Sequence, residues 1–154
     1  MILSTDRTSF DRITDRVWVG SCIRSVDDFH RLRAQGIRAC VDMREEGADL
    51  WGFDAFLWLP TVDHRAPSQV HLRMGIAFLR ECERGGLPAF VHCTAGVGRS
   101  ATLVLAWLLA GPMRGRGTRE VLERITARRP VTNPSAAQIR AAEDAAAGFE
   151  ASSP

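Results

Sequence analysis

The chain has 154 residues, of which 45% are hydrophobic and 25% charged, as in ordinary globular proteins. This length predicts one domain, 1–154, with a core at about 13–148 that is large enough to be stable without disulfide bonds. The formal net charge is only +2, and all 20 basic residues are Arg. A charge this small favours neither a nucleic acid partner nor a membrane partner.

Cysteine use and hydropathy narrow the class of protein further. The four cysteines form no CxxC pair and have no regular spacing, which argues against a zinc site and against a secreted disulfide framework. The longest apolar run, 101–110, is too short to span a bilayer. The first residues lack the basic start and apolar core of a signal peptide. We therefore expect a soluble, reduced, cytoplasmic protein.

Strand and helix patterns alternate along the chain after an irregular arm at 1–12. Short apolar runs predict strands at 16–20, 37–43, 53–59 and 87–91. Helical spacing and capping residues predict helices at 26–35, 67–85, 101–109, 118–128 and 133–148. In detail, Pro60 is expected to end a strand, Pro67 to lie in the first turn of a helix, and Thr118 and Asn133 to be N-caps. The alternation predicts an α/β fold with a single, mainly parallel sheet of four to five strands flanked by helices on both faces.

The most informative stretch is Val91-His92-Cys93-Thr94-Ala95-Gly96-Val97-Gly98-Arg99-Ser100. It joins a predicted buried strand to a predicted buried helix at the carboxyl end of the sheet, where ligands bind in such folds. Its backbone N–H groups, from Thr94, Ala95, Gly96, Val97, Gly98 and Arg99, would converge on one anion together with the helix N-terminus. Thiols in such surroundings ionise readily. Cys93 is therefore predicted to be a nucleophile directed at a bound phosphate.

Two side chains at the start of the outgoing helix fit the same chemistry. The guanidinium of Arg99 can bind two phosphoryl oxygens and stabilise charge in a transition state. Ser100 either donates a hydrogen bond to the thiolate or caps the helix, and the sequence leaves both roles open. The nucleotide-binding pattern G-x-x-x-x-G-K-[ST] fails at two of its defining positions, since Cys93 stands in place of its first Gly and Arg99 in place of its Lys.

The segment His92-Cys93-x5-Arg99-Ser100 resembles the H-C-x5-R-[ST] signature of the cysteine-dependent protein tyrosine phosphatases. The short chain and small loop residues are similar to the small, atypical branch of dual-specificity phosphatases. Further similarity lies at 17–21, 41–46 and 128–130 and at Gln138, so that the resemblance spans roughly 13–148. It implies a phosphotyrosine phosphatase-like fold and a metal-independent hydrolysis of phosphomonoesters with no cofactor.

The family carries an acidic residue on a loop about thirty residues before the cysteine. In this sequence Asp63 has that spacing and lies in a predicted loop, so the resemblance implies that it is the general acid and base. Asp54 and Asp42 are the alternatives. The resemblance also implies that His92 shapes the loop and favours the thiolate, and that Gln138 places water or braces the loop.

The predicted reaction has two steps. The Cys93 thiolate attacks phosphorus while Asp63 protonates the leaving oxygen, and water then hydrolyses the cysteinyl-phosphate with Asp63 as base. Because the side chains of 94–98 carry no positive charge, phosphotyrosine and phosphoserine/threonine in proteins are favoured over phosphoinositides. A small phosphorylated metabolite stays open as a substrate, and a monomer is expected.

Two alternatives belong to other classes. The first is a catalytically weak phosphopeptide-binding module, which the presence of Cys93, Arg99 and Asp63 disfavours. The second is a sulfur-transfer or arsenate-reducing enzyme, for which Cys40 is the candidate resolving thiol; Cys40 is equally a candidate for a protective disulfide with Cys93.

Overall fold

The computed structural model describes residues 7–48 and 51–152. They form a five-stranded sheet in the order β1-β2-β5-β3-β4. The strands are β1 (Phe10–Arg12), β2 (Val17–Gly20), β3 (Ala39–Arg44), β4 (Ala55–Thr61) and β5 (Ala89–His92). All pairs are parallel except β1 with β2. The predicted mainly parallel sheet is confirmed, and β5, the strand that leads into the cysteine loop, lies at its centre.

Five helices cover the two faces of this sheet. They are α1 (Val26–Ala34), α2 (Gln69–Gly85), α3 (Arg99–Ala110), α4 (Thr118–Arg128) and α5 (Ala136–Ser152). The larger core joins one sheet face to α2, α3, α4 and α5, whereas the smaller core packs Leu32 of α1 against Trp18, Cys40 and Phe90 on the other face. No helix among the described residues is long and apolar enough to cross a membrane.

Side chains alternate between the two cores along the central strands, as the pleat requires. Ala89, Val91 and Cys93 join the larger core, whereas Phe90 joins the smaller one. Cys40 also belongs to the smaller core. Cys40 and Cys93 therefore lie on opposite faces of the sheet, an arrangement that provides no support for a disulfide between them or for Cys40 as a resolving thiol.

Two expectations about proline were wrong. Pro60 does not end its strand, because β4 runs on to Thr61. An edge strand tolerates proline, since its outer N–H groups need no partner in the sheet. Pro67 precedes α2 rather than lying in its first turn, and Ser68 is the N-cap, whose side chain accepts a hydrogen bond from His71 N.

The starts of the last two helices also differ from expectation. Gly117, not Thr118, is the N-cap of α4. Asn133 is not the cap of α5; its N–H donates to Val97 O in the cysteine loop. Ser135 takes the capping role, with Ser135 Oγ accepting from Gln138 N and Gln138 Oε1 accepting from Ser135 N. Of the predicted arm at 1–12, residues 1–6 lie outside the described residues and 10–12 form β1.

Candidate active site

The loop between β5 and α3 closes around the sulfur of Cys93. Gly96 N donates to Cys93 Sγ at 3.2 Å, and Ser100 Oγ lies 3.3 Å from the same sulfur. Cys93 is buried, at 3% exposure. The sulfur thus lies beside a hydroxyl and a backbone N–H at the start of a helix, an arrangement that can bind an incoming anion.

Arg99 begins α3 and is almost fully buried, at 1% exposure. Its Nη1 donates to Glu46 Oε1 and to Thr61 O, both at 2.8 Å. Its Nη2 donates to Thr94 Oγ1 at 3.2 Å and to Glu46 Oε2 at 3.4 Å. Its Nε is buried without a hydrogen-bond partner among the described residues. An unsatisfied buried donor of this kind is costly, and a phosphoryl oxygen would satisfy it.

Glu46 completes this arrangement, although sequence reasoning assigned it no role. Its Oε2 accepts from Thr94 Oγ1 at 2.7 Å, so that carboxylate, hydroxyl and guanidinium form one closed hydrogen-bonded ring. The hydrogen bond from Arg99 holds the pKa of Glu46 below its usual value. Burial alone would lower the pKa of Arg99, but Glu46 and the nearby charges of Cys93 and Asp63 raise it. The sequence signal for it was the charged run 44–46 at the end of β3.

Asp63 lies on the loop between β4 and α2, with its carboxylate about half exposed. Asp63 Oδ1 is 3.5 Å from Arg99 Nε and accepts from His64 N at 2.9 Å. His64 has φ 65°, the only positive φ at a non-glycine residue among the described residues. This turn directs the His64 N–H toward the Asp63 carboxylate, and the hydrogen bond holds that carboxylate beside the cysteine loop.

A cavity of about 450 Å³ lies over the loop. The residues that line it are Asp63, His64, Cys93, Thr94, Ala95, Val97, Gly98, Asn133, Ser135 and Gln138. The other two candidate acids do not line it: Asp42 is fully buried in β3, and Asp54, just before β4, is paired with Arg38. Asp63 is thus the carboxylate that shares this cavity with the sulfur.

Gln138 lies at the edge of the cavity and is 3% exposed. Its Nε2 donates to Arg65 O at 3.0 Å, which ties α5 to the loop that carries Asp63. Its Oε1 is engaged with Ser135 N. In this arrangement the amide braces two loops of the site.

Arg129, which sequence reasoning treated only as part of a family segment, holds the cysteine loop from behind. Its guanidinium is 2% exposed and donates to Gly96 O at 2.8 Å and to Ala95 O at 3.0 Å. Asp11 and Ser9 accept its remaining hydrogen bonds. With their carbonyls turned to Arg129, the peptide units of the loop can direct N–H groups to the other side.

Gly96 fits this loop because it has no side chain. Its φ is 69°, and a Cβ there would lie 2.4 Å from Gly20 O. Only glycine combines this backbone conformation with so close an approach of β2. The loop is therefore packed directly on the end of a neighbouring strand.

A mainly parallel sheet whose central strand leads into a Cys-to-Arg loop of this kind is typical of the cysteine-dependent phosphatases. Residues 17–144 match the family described as "Dual specificity phosphatase, catalytic domain". The chain is 33% identical over 109 residues to Dual specificity protein phosphatase 15 of Homo sapiens, an alignment covering 70% of this chain and 36% of the relative. It is 27% identical over 128 residues to Dual specificity protein phosphatase 22 of Homo sapiens, covering 81% and 67%.

Solved structures agree with this assignment. The crystal structure of DUSP15 superposes with a TM-score of 0.79 at 25% identity, covering 94% of this chain and 97% of that one. The structure of PTPMT1 gives the same TM-score at 24% identity, covering 93% and 97%, and shows the shared fold. The chain belongs to the dual specificity phosphatase family, in its small atypical branch. It spans about a third of the length of the phosphatase 15 relatives.

Proposed function

We propose that the protein is a metal-independent protein phosphatase that hydrolyses phosphotyrosine and phosphoserine/threonine. One observation carries the proposal: the buried Arg99 Nε, at the end of the loop that holds the Cys93 sulfur, has no hydrogen-bond partner among the described residues and lies 3.5 Å from Asp63 Oδ1. A phosphoryl group bound to the loop would supply the missing acceptor. Its phosphorus would then lie between a nucleophile and an acid.

In the first step the Cys93 thiolate forms a bond to phosphorus as the bond to the leaving oxygen breaks. Asp63, protonated at this stage, transfers its proton to that oxygen. In the second step Asp63 takes a proton from water, whose oxygen attacks phosphorus and releases the thiolate and inorganic phosphate. Arg99 and the N–H groups of 94–99 bind the phosphoryl oxygens in both steps, and their charge and dipoles lower the barrier.

The cavity supports a substrate with one phosphate. Of its lining residues only His64 has a side chain that can become positively charged. A second phosphate on an inositol ring would find no guanidinium lining this cavity. A small monophosphorylated compound is the second candidate, because PTPMT1, a structural neighbour, was crystallised in complex with PI(5)P.

The test is a phosphate-release assay in the presence of a chelator, with phosphotyrosyl peptide, phosphoseryl peptide and phosphatidylinositol 5-phosphate as substrates. We expect turnover of the peptides by the wild type and none by Cys93→Ser. Asp63→Asn should slow turnover about a hundredfold or more. Its matched control, Asp54→Asn, removes an aspartate outside the cavity and should retain wild-type turnover.

Each outcome distinguishes the candidates. Loss of activity with the chelator, or activity in Cys93→Ser, would refute the thiol mechanism. Turnover of the lipid alone would replace the protein substrates by the second candidate. Binding of phosphopeptides without turnover would identify a phosphopeptide-binding module.

We also propose that residues 1–154 act as one domain, in the cytoplasm and as a monomer. Cys22, Cys82 and Cys93 are free thiols, as is usual in a reducing compartment. Light scattering during gel filtration would test the monomer, and a mass near twice 17.0 kDa would refute it.

A further inference from the structure

A second cavity lies on the flank of the molecule, between the turn that joins β1 to β2 and the helix α4. Its volume is about 370 Å³. The residues that line it are Arg12, Ile13, Thr14, Asp15, Arg124 and Arg128. Three guanidiniums thus share this cavity with one carboxylate, whereas the formal charge of the whole chain is only +2. A local excess of positive charge of this kind attracts anions.

Two of the three guanidiniums have no counter-ion in the part of the chain that the structure describes. The carboxylates of α4, Glu120 and Glu123, each pair with the arginine four residues before them. Arg124 and Arg128 are exposed and make no hydrogen bond or ion pair with any described residue. Like charges four residues apart on a helix repel each other. The helix dipole favours Arg128, which is in the last turn of α4, but it does not account for Arg124.

The third guanidinium, that of Arg12, is held in place on the wall formed by the β1–β2 turn. Its Nε donates to Thr14 O at 3.2 Å, and its Nη2 donates to Asp15 O at 2.8 Å. The group also lies over the ring of Trp18, 5.2 Å from the centroid. The Asp15 carboxylate is fully exposed and 3.7 Å from Nη2. Because Nη1 makes no hydrogen bond to a described residue, it is available to an acceptor from outside.

This cavity lies next to the support of the cysteine loop. Arg12 and Arg128 are the chain neighbours of Asp11 and Arg129, whose ion pair of 2.8 Å holds that loop from behind. A phosphate in the loop and a group in this cavity would therefore be held by different sides of the same support. A protein substrate is long enough to occupy both places at once.

The spacing of the guanidiniums indicates the form of the partner. Arg124 and Arg128 are one helical turn apart, about 6 Å along the axis. Side chains on one face of an extended peptide recur at every second residue, about 6.6–7 Å apart. Acidic residues at alternate positions would therefore meet one guanidinium each. None of the described lining residues is aromatic, so the cavity offers no ring on which a nucleic acid base could stack.

We propose that this cavity, which we call the flank site (Arg12, Arg124 and Arg128), binds an acidic segment of the protein substrate with Asp or Glu at alternate positions. Arg124 and Arg128 each pair with one carboxylate, and Arg12 Nη1 binds a further acceptor. Exposed ion pairs are individually weak, so the affinity comes from several at once. The proposal rests on the phosphatase function for its role in substrate choice, but the binding itself requires no catalysis.

The first test measures binding without turnover. Fluorescence anisotropy is recorded with a labelled, unphosphorylated peptide that carries glutamate at alternate positions, and with its counterpart that carries glutamine there. We expect the glutamate peptide alone to bind, and its affinity to fall as salt is added. The double variant Arg124→Gln/Arg128→Gln should raise its dissociation constant about tenfold or more, since an exposed ion pair contributes up to about fivefold.

The control for net charge is Arg116→Gln/Arg119→Gln, which removes two exposed arginines from the other end of the same helix. Its dissociation constant for the glutamate peptide should stay within about twofold of wild type. An equal loss in both double variants would assign the binding to net charge and overturn the flank site. A labelled single-stranded oligonucleotide that binds in place of the peptide, with the loss confined to Arg124→Gln/Arg128→Gln, would overturn the acidic segment as the partner.

The second test uses turnover. A phosphotyrosyl peptide extended by the same alternating glutamates, on either side, should have a lower KM than its glutamine counterpart at equal kcat, because the added contacts do not change during the reaction. This difference in KM should disappear in Arg124→Gln/Arg128→Gln, and its persistence there would refute docking at the flank site. A protein that binds the acidic peptide but hydrolyses no phosphoester would refute the phosphatase function alone. Turnover without any preference for the acidic peptide would refute the flank site alone.

Discussion

Arg99 Nη1 and Glu46 Oε1 are 2.8 Å apart, although 53 residues separate them in the chain. The pair fixes the orientation of the guanidinium before any substrate binds. With both Nη atoms engaged by Glu46, Thr61 and Thr94, it is Nε that remains for a phosphoryl oxygen. Such preorganisation avoids an ordering cost at the moment of binding.

Replacing Glu46 by Gln should weaken oxyanion binding. The variant keeps the shape of the side chain and loses the charge that aligns Arg99. We expect the dissociation constant of inorganic phosphate to rise about tenfold, the size of one charge-assisted hydrogen bond. Calorimetric titration measures it. Glu45→Gln, at the exposed neighbouring residue, is the control. An equal loss of phosphate affinity in this variant would show that the effect comes from net charge and not from the contact with Arg99.

The same pair predicts how phosphate binding depends on pH. The pKa of Glu46 is lowered by Arg99 from its ordinary 4.5. The stabilising charge is therefore fully present above that ordinary value and is lost only as the pH falls through the lowered one. Wild type should therefore bind phosphate more tightly than Glu46→Gln at pH 4.5, and this difference in affinity should shrink in more acid solution. Equal affinities already at pH 5 would contradict the ion pair of Glu46 with Arg99.

Replacing Arg129 by Met should disable the loop as well as destabilise the protein. The substitution leaves the carbonyls of Ala95 and Gly96 without their hydrogen-bond partner, at a cost of about 1–3 kcal/mol for a buried acceptor, and removes the ion pair with the partly exposed Asp11. Denaturant unfolding and phosphate titration measure the two effects. Arg128→Met, the exposed neighbour, should change neither; wild-type phosphate binding in Arg129→Met would show that the loop does not need this support.

Replacing Gly96 by Ala should abolish the anion site. The left-handed backbone and the approach of Gly20 O leave no room for a methyl group. Gly115 has a similar positive φ of 84°, but a Cβ at this position would have nothing within 4 Å, so Gly115→Ala isolates the conformational cost of about 1–2 kcal/mol. Phosphate binding should vanish in the first variant and persist in the second. Equal behaviour of the two would mean that packing against β2 is unimportant.

Alkaline pH should destabilise the protein through Cys82. Burial and the nearby Glu81 raise the pKa of this thiol from 9.0 to about 11. The unfolded chain releases the proton near pH 9 and the folded one does not, so stability is full below pH 9 and falls as the pH rises toward 11. The loss should reach about 2 kcal/mol.

Denaturant unfolding at pH 7.5 and pH 10.5 measures this loss for wild type and Cys82→Ala. The chain has neither Lys nor Tyr, which removes the usual competing titrations from this range. The alanine variant should be less stable at both pH values but lose less between them. A pH dependence equal to that of wild type would assign the effect to other groups.

The sequence predicted the sheet, its helices and the Cys93–Arg99 loop because these features are local. The spacing of apolar residues, the capping residues and the order strand, loop, helix can each be recognised within a segment of about twenty residues. Where local signals failed, the wider fold was the reason: Pro60 stays in a strand only because β4 is at the sheet edge. Asn133 gives its N–H to Val97 O instead of starting α5.

The support of the loop was decided by the tertiary structure alone. Glu46 reaches the site from the turn after β3, and Arg129 reaches it from the end of α4. The spacing of residues in a single sequence does not show which charges will meet. Their pairing follows from strand order, which puts β3 beside β5, and from burial, which makes each charge require a partner. The sequence therefore determined which atoms could do the chemistry, and the fold determined which atoms hold them in place.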